Sequence, residues 1–298
     1  MTARCYRWAC PHSRTGILAS HRTAKSLAYQ TDDGNEAIVW VYGLAGTNPP
    51  RRLTFGGRSS SPIWTPDGQR ITFALDREGT SGLFWQLADG SGTAERLLSA
   101  DNGMPWRPEA WTPDGKTLAF VNENGAADIW TLTRGESKPK KIVESPVNKR
   151  YTEFSRDGRW FAYSSSTMAG NGFDIFVQPF PPTGAKYQLT NTGARTAFWS
   201  SDGKQLLYVN SGNGPGHIVA VDIGTQPTFS FGKPLQLPVG DDAQFVGTGR
   251  QYDVTPDGKQ FVLVLDPTTA GGSNRRTPSQ INVVLNWVEE LKQRVPVK

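Results

Sequence analysis

The sequence carries little that would cross-link, anchor or export it. Its 298 residues include only two cysteines, Cys5 and Cys10, both ahead of the first clear strand. A disulfide framework is thereby excluded, and a lone C-x4-C with only His12 nearby is a poor metal signature. Free thiols and one local disulfide both stay open, and neither would staple the body of the chain. No apolar run has the length of a transmembrane helix. The start, Met1-Thr-Ala-Arg-Cys5-Tyr-Arg-Trp-Ala-Cys10, has no signal-peptide core. The expectation is a soluble chain without membrane insertion, cytoplasmic by default. Lys and Arg number 32 against 27 Asp and Glu, a formal charge of +5. No basic block is long enough for a nucleic-acid arm, so the balance favours acidic ligands without implying nucleic acid. Nucleophile signals are equally sparse, with no Gly-x-Ser-x-Gly elbow anywhere.

What is abundant is one repeated phrase: an aromatic, two residues, then Asp-Gly and an apolar strand. It reads Trp64-Thr-Pro-Asp67-Gly68, Trp111-Thr-Pro-Asp114-Gly115, Phe154-Ser-Arg-Asp157-Gly158 and Trp199-Ser-Ser-Asp202-Gly203. A fifth copy, Val254-Thr-Pro-Asp257-Gly258, has Val for the aromatic. The aspartates are 47, 43, 45 and 55 residues apart, a period that marks a repeat architecture. Each unit holds four short apolar segments between turn signals. The third has Arg107–Trp111, Thr117–Val121, Asp128–Leu132 and Lys140–Val143. Four strands per unit of this length predict a propeller blade.

Six blades are expected, all-β, each a four-stranded antiparallel sheet. The first is degenerate, with Thr23-Ala24 where Asp-Gly should stand and strands starting at Ile17, Lys25, Ala37 and Arg51. The last has Gln251–Thr255, Gln260–Leu265 and Ile281–Trp287, followed by a helix-like 288–294 in place of a fourth strand. Residues 17–298 are read as the propeller. Segment 1–16 either supplies the missing outer strand from Ala3–Ala9, closing the ring, or stays disordered outside it. Closure would remove free sheet edges.

The units resemble the TolB-like (PD40, or WD40-like) propeller repeats. The matching pieces are Pro62-Ile-Trp64-Thr-Pro-Asp67-Gly68-Gln-Arg-Ile71-Thr-Phe73, Asp128-Ile-Trp-Thr-Leu132 and Arg96-Leu97-Leu98. The stretch Gln280–Leu291 resembles the end of propellers attached to bacterial serine/threonine kinases. The resemblance spans about residues 23–292 and implies a fold. Members include envelope components, sensors, peptidase propeller domains and lyases, often periplasmic, so it leaves function open. The chain lacks the kinase motifs themselves.

Propellers bind at the channel mouth, so the ends of the inner strands carry the chemistry. Six residues before the turn proline stands a column of Arg107, Arg150, Arg195 and Arg250. Four guanidinium groups at one mouth would bind an anion, since each offers a planar fork of donors. Carboxylates lie just inside. Glu153 and Asp253 share a column otherwise mostly apolar, and Glu109 sits one place earlier. Such acids require a partner or a cation. One reading is an arginine–carboxylate lattice. The other is a divalent cation, Ca, Mn or Zn, held by Glu109, Glu153 and Asp253. His217 heads a third strand on the same rim, as a proton shuttle, a metal ligand or a surface hydrogen-bonder. The Gly-rich loops Met168–Phe173, Asn210–Gly216 and Asp266–Gln280 fall on that face too, the last with Arg275 and Arg276.

The sequence thus points to a sensor or scaffold module taking a small anion, an acidic peptide or another protein. The alternative is a metal-assisted hydrolase of esters or phosphoesters using Glu153, Asp253 and His217.

Overall fold

The computed structural model describes residues 26–44, 48–100, 106–123, 126–167, 172–191, 193–210, 216–226 and 228–237, together with the backbone of five further strands. Among these residues every regular element is a strand. The expected helix at 288–294, Arg250, and most of the three Gly-rich loops lie outside the described residues, as do the side chains of Asp253, Cys5, Cys10, His12 and His21.

The strands form successive antiparallel sheets in chain order. The first unit is Thr15–Ser20, Ser26–Asp32, Ala37–Gly43 and Arg51–Arg52, and the second is Arg58–Trp64, Arg70–Asp76, Gly82–Leu87 and Glu95–Ser99. These two share a single parallel pairing, Ala37 with Arg58. The third unit is Trp106–Trp111, Thr117–Asn122, Asp128–Thr133 and Lys140–Val143; the fourth is Lys149–Phe154, Trp160–Ser166, Phe173–Pro179 and Tyr187–Gln188. The fifth runs Ala194–Trp199, Gln205–Asn210 and His217–Gly224, with two short outer pieces, Ser230–Phe231 and Leu235–Gln236. The last sheet orders Tyr252–Val254, Gln260–Leu265 and Gln280–Leu285, then adds the N-terminal Cys5–Ala9 at its edge. Cys5 lies opposite Val284 and Ala9 opposite Gln280.

Each of the four Asp-Gly phrases among the described residues closes the same turn. The Ser or Thr two residues ahead donates its hydroxyl to the aspartate, at 2.6 Å from Thr65, Thr112 and Ser155 and 2.7 Å from Ser200. That same carboxylate oxygen accepts the backbone N–H two residues on, 3.0 Å from Gln69 and 3.1 Å from Lys116. The glycine stands at φ 69° in Gly68 and 68° in Gly115, a left-handed conformation that only glycine adopts without cost. The hydroxyl bond to Thr112 leads in holding Asp114 below the usual carboxylate range, and Asp202 is held down in the same way by Ser200. At Asp67 and Asp157 burial pushes the carboxyl up, but hydrogen bonds, led by those to Thr65 and Ser155, outweigh it and leave both lowered.

The core lies between sheets. Ala28, Val39 and Leu53 of the first unit pack on Ile71, Phe73 and Phe84 of the second. Leu83 meets Trp111, Leu118 and Phe120; Ala119, Val121 and Ile129 meet Phe154, Phe161 and Tyr163; Ile175 and Val177 meet Trp199, Leu206 and Tyr208. Among the described residues, each of these units shares its core with its neighbour in the chain, as stacked repeats do. The aromatic of the phrase bridges that junction. Trp111 donates its indole N–H to Thr72 of the preceding unit at 2.9 Å and stacks on Trp85 with centroids 5.9 Å apart.

Candidate functional site

From the first unit to the fifth, the first strand of each lies against the first strand of the next, and that of the first unit also lies against Tyr252–Val254 of the last. These strands are therefore innermost. Five of the six carry a bulge, with the register breaking between Gly16 and Leu18, Ser60 and Ile63, Pro108 and Ala110, Arg150 and Glu153, and Arg195 and Phe198. Bulges re-aim side chains and bend the strand. Three of them hold a non-glycine residue at positive φ: Ser61 at 55°, Tyr151 at 59° and Thr196 at 56°. Such strain persists only where the surroundings hold it. Here a side chain of the preceding unit catches a bulge N–H each time. Gln30 accepts from Ser61 at 3.1 Å, Ser164 accepts from Thr196 at 3.2 Å, and Glu109 accepts from Thr152.

Glu109 anchors the most heavily charged part of this belt. Its side chain is 3% exposed and lies 2.7 Å from Arg107. Burial pushes its carboxyl above the usual range, against the pull of the Arg107 charge and the Thr152 N–H. Burial alone would lower the Arg107 pKa, but Glu109 and Glu123 outweigh it and hold the guanidinium above its ordinary value. Glu123, from the loop after the second strand of the third unit, lies 3.7 Å from Arg107 and 2.9 Å from Arg150. The Arg107 guanidinium also stands 5.5 Å over the Tyr151 ring. The two arginines are thus tied to two carboxylates in one connected lattice.

The inner strands enclose a cavity of about 40 Å³ lined by Ser61, Arg107, Glu109, Tyr151, Glu153 and Thr196. That is room for water and not for a substrate. The arginine column is as expected where described: Arg107, Arg150 and Arg195 sit at equivalent places near the start of their strands. Glu153 is half-buried and lines the same cavity, and Glu109 lies across from it. His217 begins its strand as expected but is exposed and outside the cavity lining. No group of three His, Cys, Asp or Glu side chains is placed to hold a metal among the described residues. Sequence reasoning missed Glu123, Tyr151 and the Gln30 and Ser164 acceptors. No spacing signal marks a loop glutamate, and nothing at Ser61, Tyr151 or Thr196 advertises a left-handed backbone.

These observations define a β-propeller-type repeat protein with its polar residues gathered on the innermost strands. The comparisons give the fold a family. No family model matches the chain. TolB from Acinetobacter baumannii superposes with a TM-score of 0.67 at 20% identity, over 88% of this chain and 64% of that one. The Tol-Pal system protein TolB of Nitratidesulfovibrio vulgaris is 25% identical over 148 residues, 49% of this chain and 32% of that protein. The uncharacterized peptidase YuxL of Bacillus subtilis is 28% identical over 137 residues, 45% of this chain and 20% of that protein. The chain spans about a third or less of these two relatives. Its fold is that of the TolB-like β-propellers. No helix among the described residues is long and apolar enough to cross a membrane.

Proposed function

We propose that the chain is a protein-binding module, a six-bladed propeller closed by its N-terminal strand, whose channel mouth takes a segment of a partner polypeptide. The pairing of Cys5–Ala9 with Gln280–Leu285 and the contact of the first and last inner strands support the ring. One observation carries the function: Arg107, Arg150, Glu109 and Glu123 form an ion-pair lattice beside a cavity with room only for water. Arginines answered by carboxylates make a poor trap for a free small anion. They suit a chain carrying both signs of charge, which exchanges partners with the half-exposed members at the rim. Arg150, Arg195 and, by its place in the column, Arg250 are the residues assigned to that contact. TolB, named for the Tol-Pal system, is consistent with a role in an assembly.

The second reading is a metal-assisted hydrolase of esters or phosphoesters, with Glu153 and Asp253 as ligands helped by Glu109 or His217. A peptidase among the relatives favours it, although this chain covers 20% of that protein. The two readings separate in one experiment. Random peptides are selected against the immobilised chain, and the same preparation is analysed for Ca, Mn and Zn and assayed on generic esters. Selected peptides with no stoichiometric metal support the binding module. Stoichiometric metal that is lost in Glu153→Gln, with ester turnover, overturns it.

A further inference from the structure

Near the start of its third strand the third unit has Asp128 and the fourth has Asp174, each followed by an isoleucine. The two places are equivalent. Ile129 lies opposite Val143 of its outer strand, and the Ile175 carbonyl accepts the Leu189 N–H at 2.8 Å. Both carboxylates lie on the mouth side, beside the chain that enters the next inner strand. Asp128 is answered twice by the chain itself. Lys149, its side chain 1% exposed, reaches it at 2.8 Å and gives a second bond to the Ser145 carbonyl at 2.6 Å. Lys141, opposite Trp130 on the outer strand, reaches it at 2.9 Å.

Asp174 has lost both cations. Ala194, just ahead of Arg195, stands where Lys149 stands ahead of Arg150. Gln188 lies opposite Phe176 as Lys141 lies opposite Trp130, and its amide is turned to the Thr190 carbonyl at 2.9 Å. Lys186 is spent on the Phe176 ring, with Nζ 4.0 Å from its centre. Yet Asp174 is only 7% exposed. Its bonds are two, from the Thr190 hydroxyl at 3.3 Å and the Gly193 N–H at 3.4 Å, both to Oδ1 and both longer than the ordinary range of about 2.7–3.2 Å. No ion pair reaches it among the described residues, and Oδ2 accepts no bond there. Oδ2 is also not one of the sealed polar atoms, so a group arriving at the mouth can reach it. A charge taken out of water is ordinarily paired or holds a cation, and here the pairing is left to a cation from outside. The third unit shows what fits such a place: one –NH3+ group against a carboxylate and a backbone carbonyl. A guanidinium fork would want both carboxylate oxygens, and Oδ1 is already engaged. A divalent cation such as Ca would want several oxygen ligands, and no cluster of three acidic, His or Cys side chains stands among the described residues.

We propose that Asp174 is the floor of a binding site for a primary ammonium group, at the junction of the fourth and fifth units, with Oδ2 as its counter-charge. The site stands whether or not the mouth takes a polypeptide, because a free amine and a lysine side chain carry the same group. The Gly193 amide donates to this carboxylate and reports on it in a proton–nitrogen NMR spectrum. Methylammonium chloride should move the Gly193 peak saturably. Tetramethylammonium chloride at equal ionic strength has no N–H to donate and should leave the peak in place. Asp174→Asn should weaken the methylammonium titration about tenfold or more, the scale of a hydrogen bond to a charged group. Ala194→Lys supplies the missing cation from within, as Lys149 does for Asp128, and should abolish the response while the rest of the spectrum reports an intact fold. An equal response to both salts, no saturable response to methylammonium, an unchanged titration in Asp174→Asn, or a full response in a folded Ala194→Lys chain overturns the proposal. Peptides selected against the mouth then identify the source. If acetylating a peptide lysine weakens binding to the parent and not to Asp174→Asn, the ammonium belongs to a bound polypeptide. A methylammonium response without that loss assigns the site to a free amine.

Discussion

Replacing Glu109 by Ala should be among the most damaging single changes to a polar residue of this chain. The side chain is almost fully buried, takes the Arg107 guanidinium at 2.7 Å and accepts the Thr152 N–H across the junction of the third and fourth units. Removal leaves Arg107, its side chain 13% exposed, with the 3.7 Å approach to Glu123 as its remaining carboxylate contact. Breaking one partner from a buried pair costs about 3–5 kcal/mol, and the remaining glutamate places this case near the lower end, at about 3 kcal/mol. The double replacement Arg107→Met, Glu109→Leu removes both charges and leaves mainly the Thr152 N–H unmet, a cost of about 1–2 kcal/mol. The double variant should therefore be more stable than the single one. Equilibrium urea unfolding measures both, with the slope checked for equality so that the midpoints report stability. If Glu109→Ala falls within about 1 kcal/mol of the parent, or the double variant is the weaker of the two, the lattice is not what holds this junction.

Other outcomes follow from single contacts. Tyr163→Phe removes the hydroxyl that accepts from Gln178 at 2.6 Å in a buried site and should cost about 1–2 kcal/mol in the same unfolding assay. Burial pushes the Tyr163 phenol up to about 12, so Tyr163 should be absent from the tyrosines that an ultraviolet titration of the parent shows ionising near pH 10, and Tyr163→Phe should leave that part of the curve unchanged. Gly115→Ala forces a left-handed alanine into open contact with Pro66, 3.8 Å from the new Cβ, and should cost about 1–2 kcal/mol from the backbone alone. The turn aspartates Asp67, Asp114, Asp157 and Asp202 have folded pKa values below the ordinary 3.8. Their contribution is present above that value and is lost as pH falls through the lower folded ones. Asp114→Asn should thus flatten the decline of stability below about pH 4 while leaving its slope near neutrality unchanged.

The sheets were largely legible because two periods coincide in the sequence, the strand alternation and the Asp-Gly phrase. Measuring back from Asp114, Asp157 and Asp202 placed Arg107, Arg150 and Arg195 near strand starts, where they stand. It also singled out Glu109 and Glu153, and both line the inner cavity. Two features of the site were not legible. Glu123 joins Arg107 to Arg150 from a loop, where neither period applies. The bulges place Ser61, Tyr151 and Thr196 at positive φ through contacts to the preceding unit, a tertiary cause with no local residue signature. A column of arginines reads as positive until the carboxylates that answer Arg107 and Arg150, Glu109 and Glu123, are seen beside it in space.

The most direct test of the account is the affinity of a mouth-selected peptide for two variants on opposite faces. Arg150→Ala alters the mouth, while Arg134→Ala alters the turn face, where Arg134 lies 5.0 Å over the Trp85 ring. Fluorescence polarisation should show binding weakened about tenfold or more by Arg150→Ala and unchanged by Arg134→Ala, the scale of a charged contact within a binding site. Loss of binding in Arg134→Ala with full affinity in Arg150→Ala would contradict it.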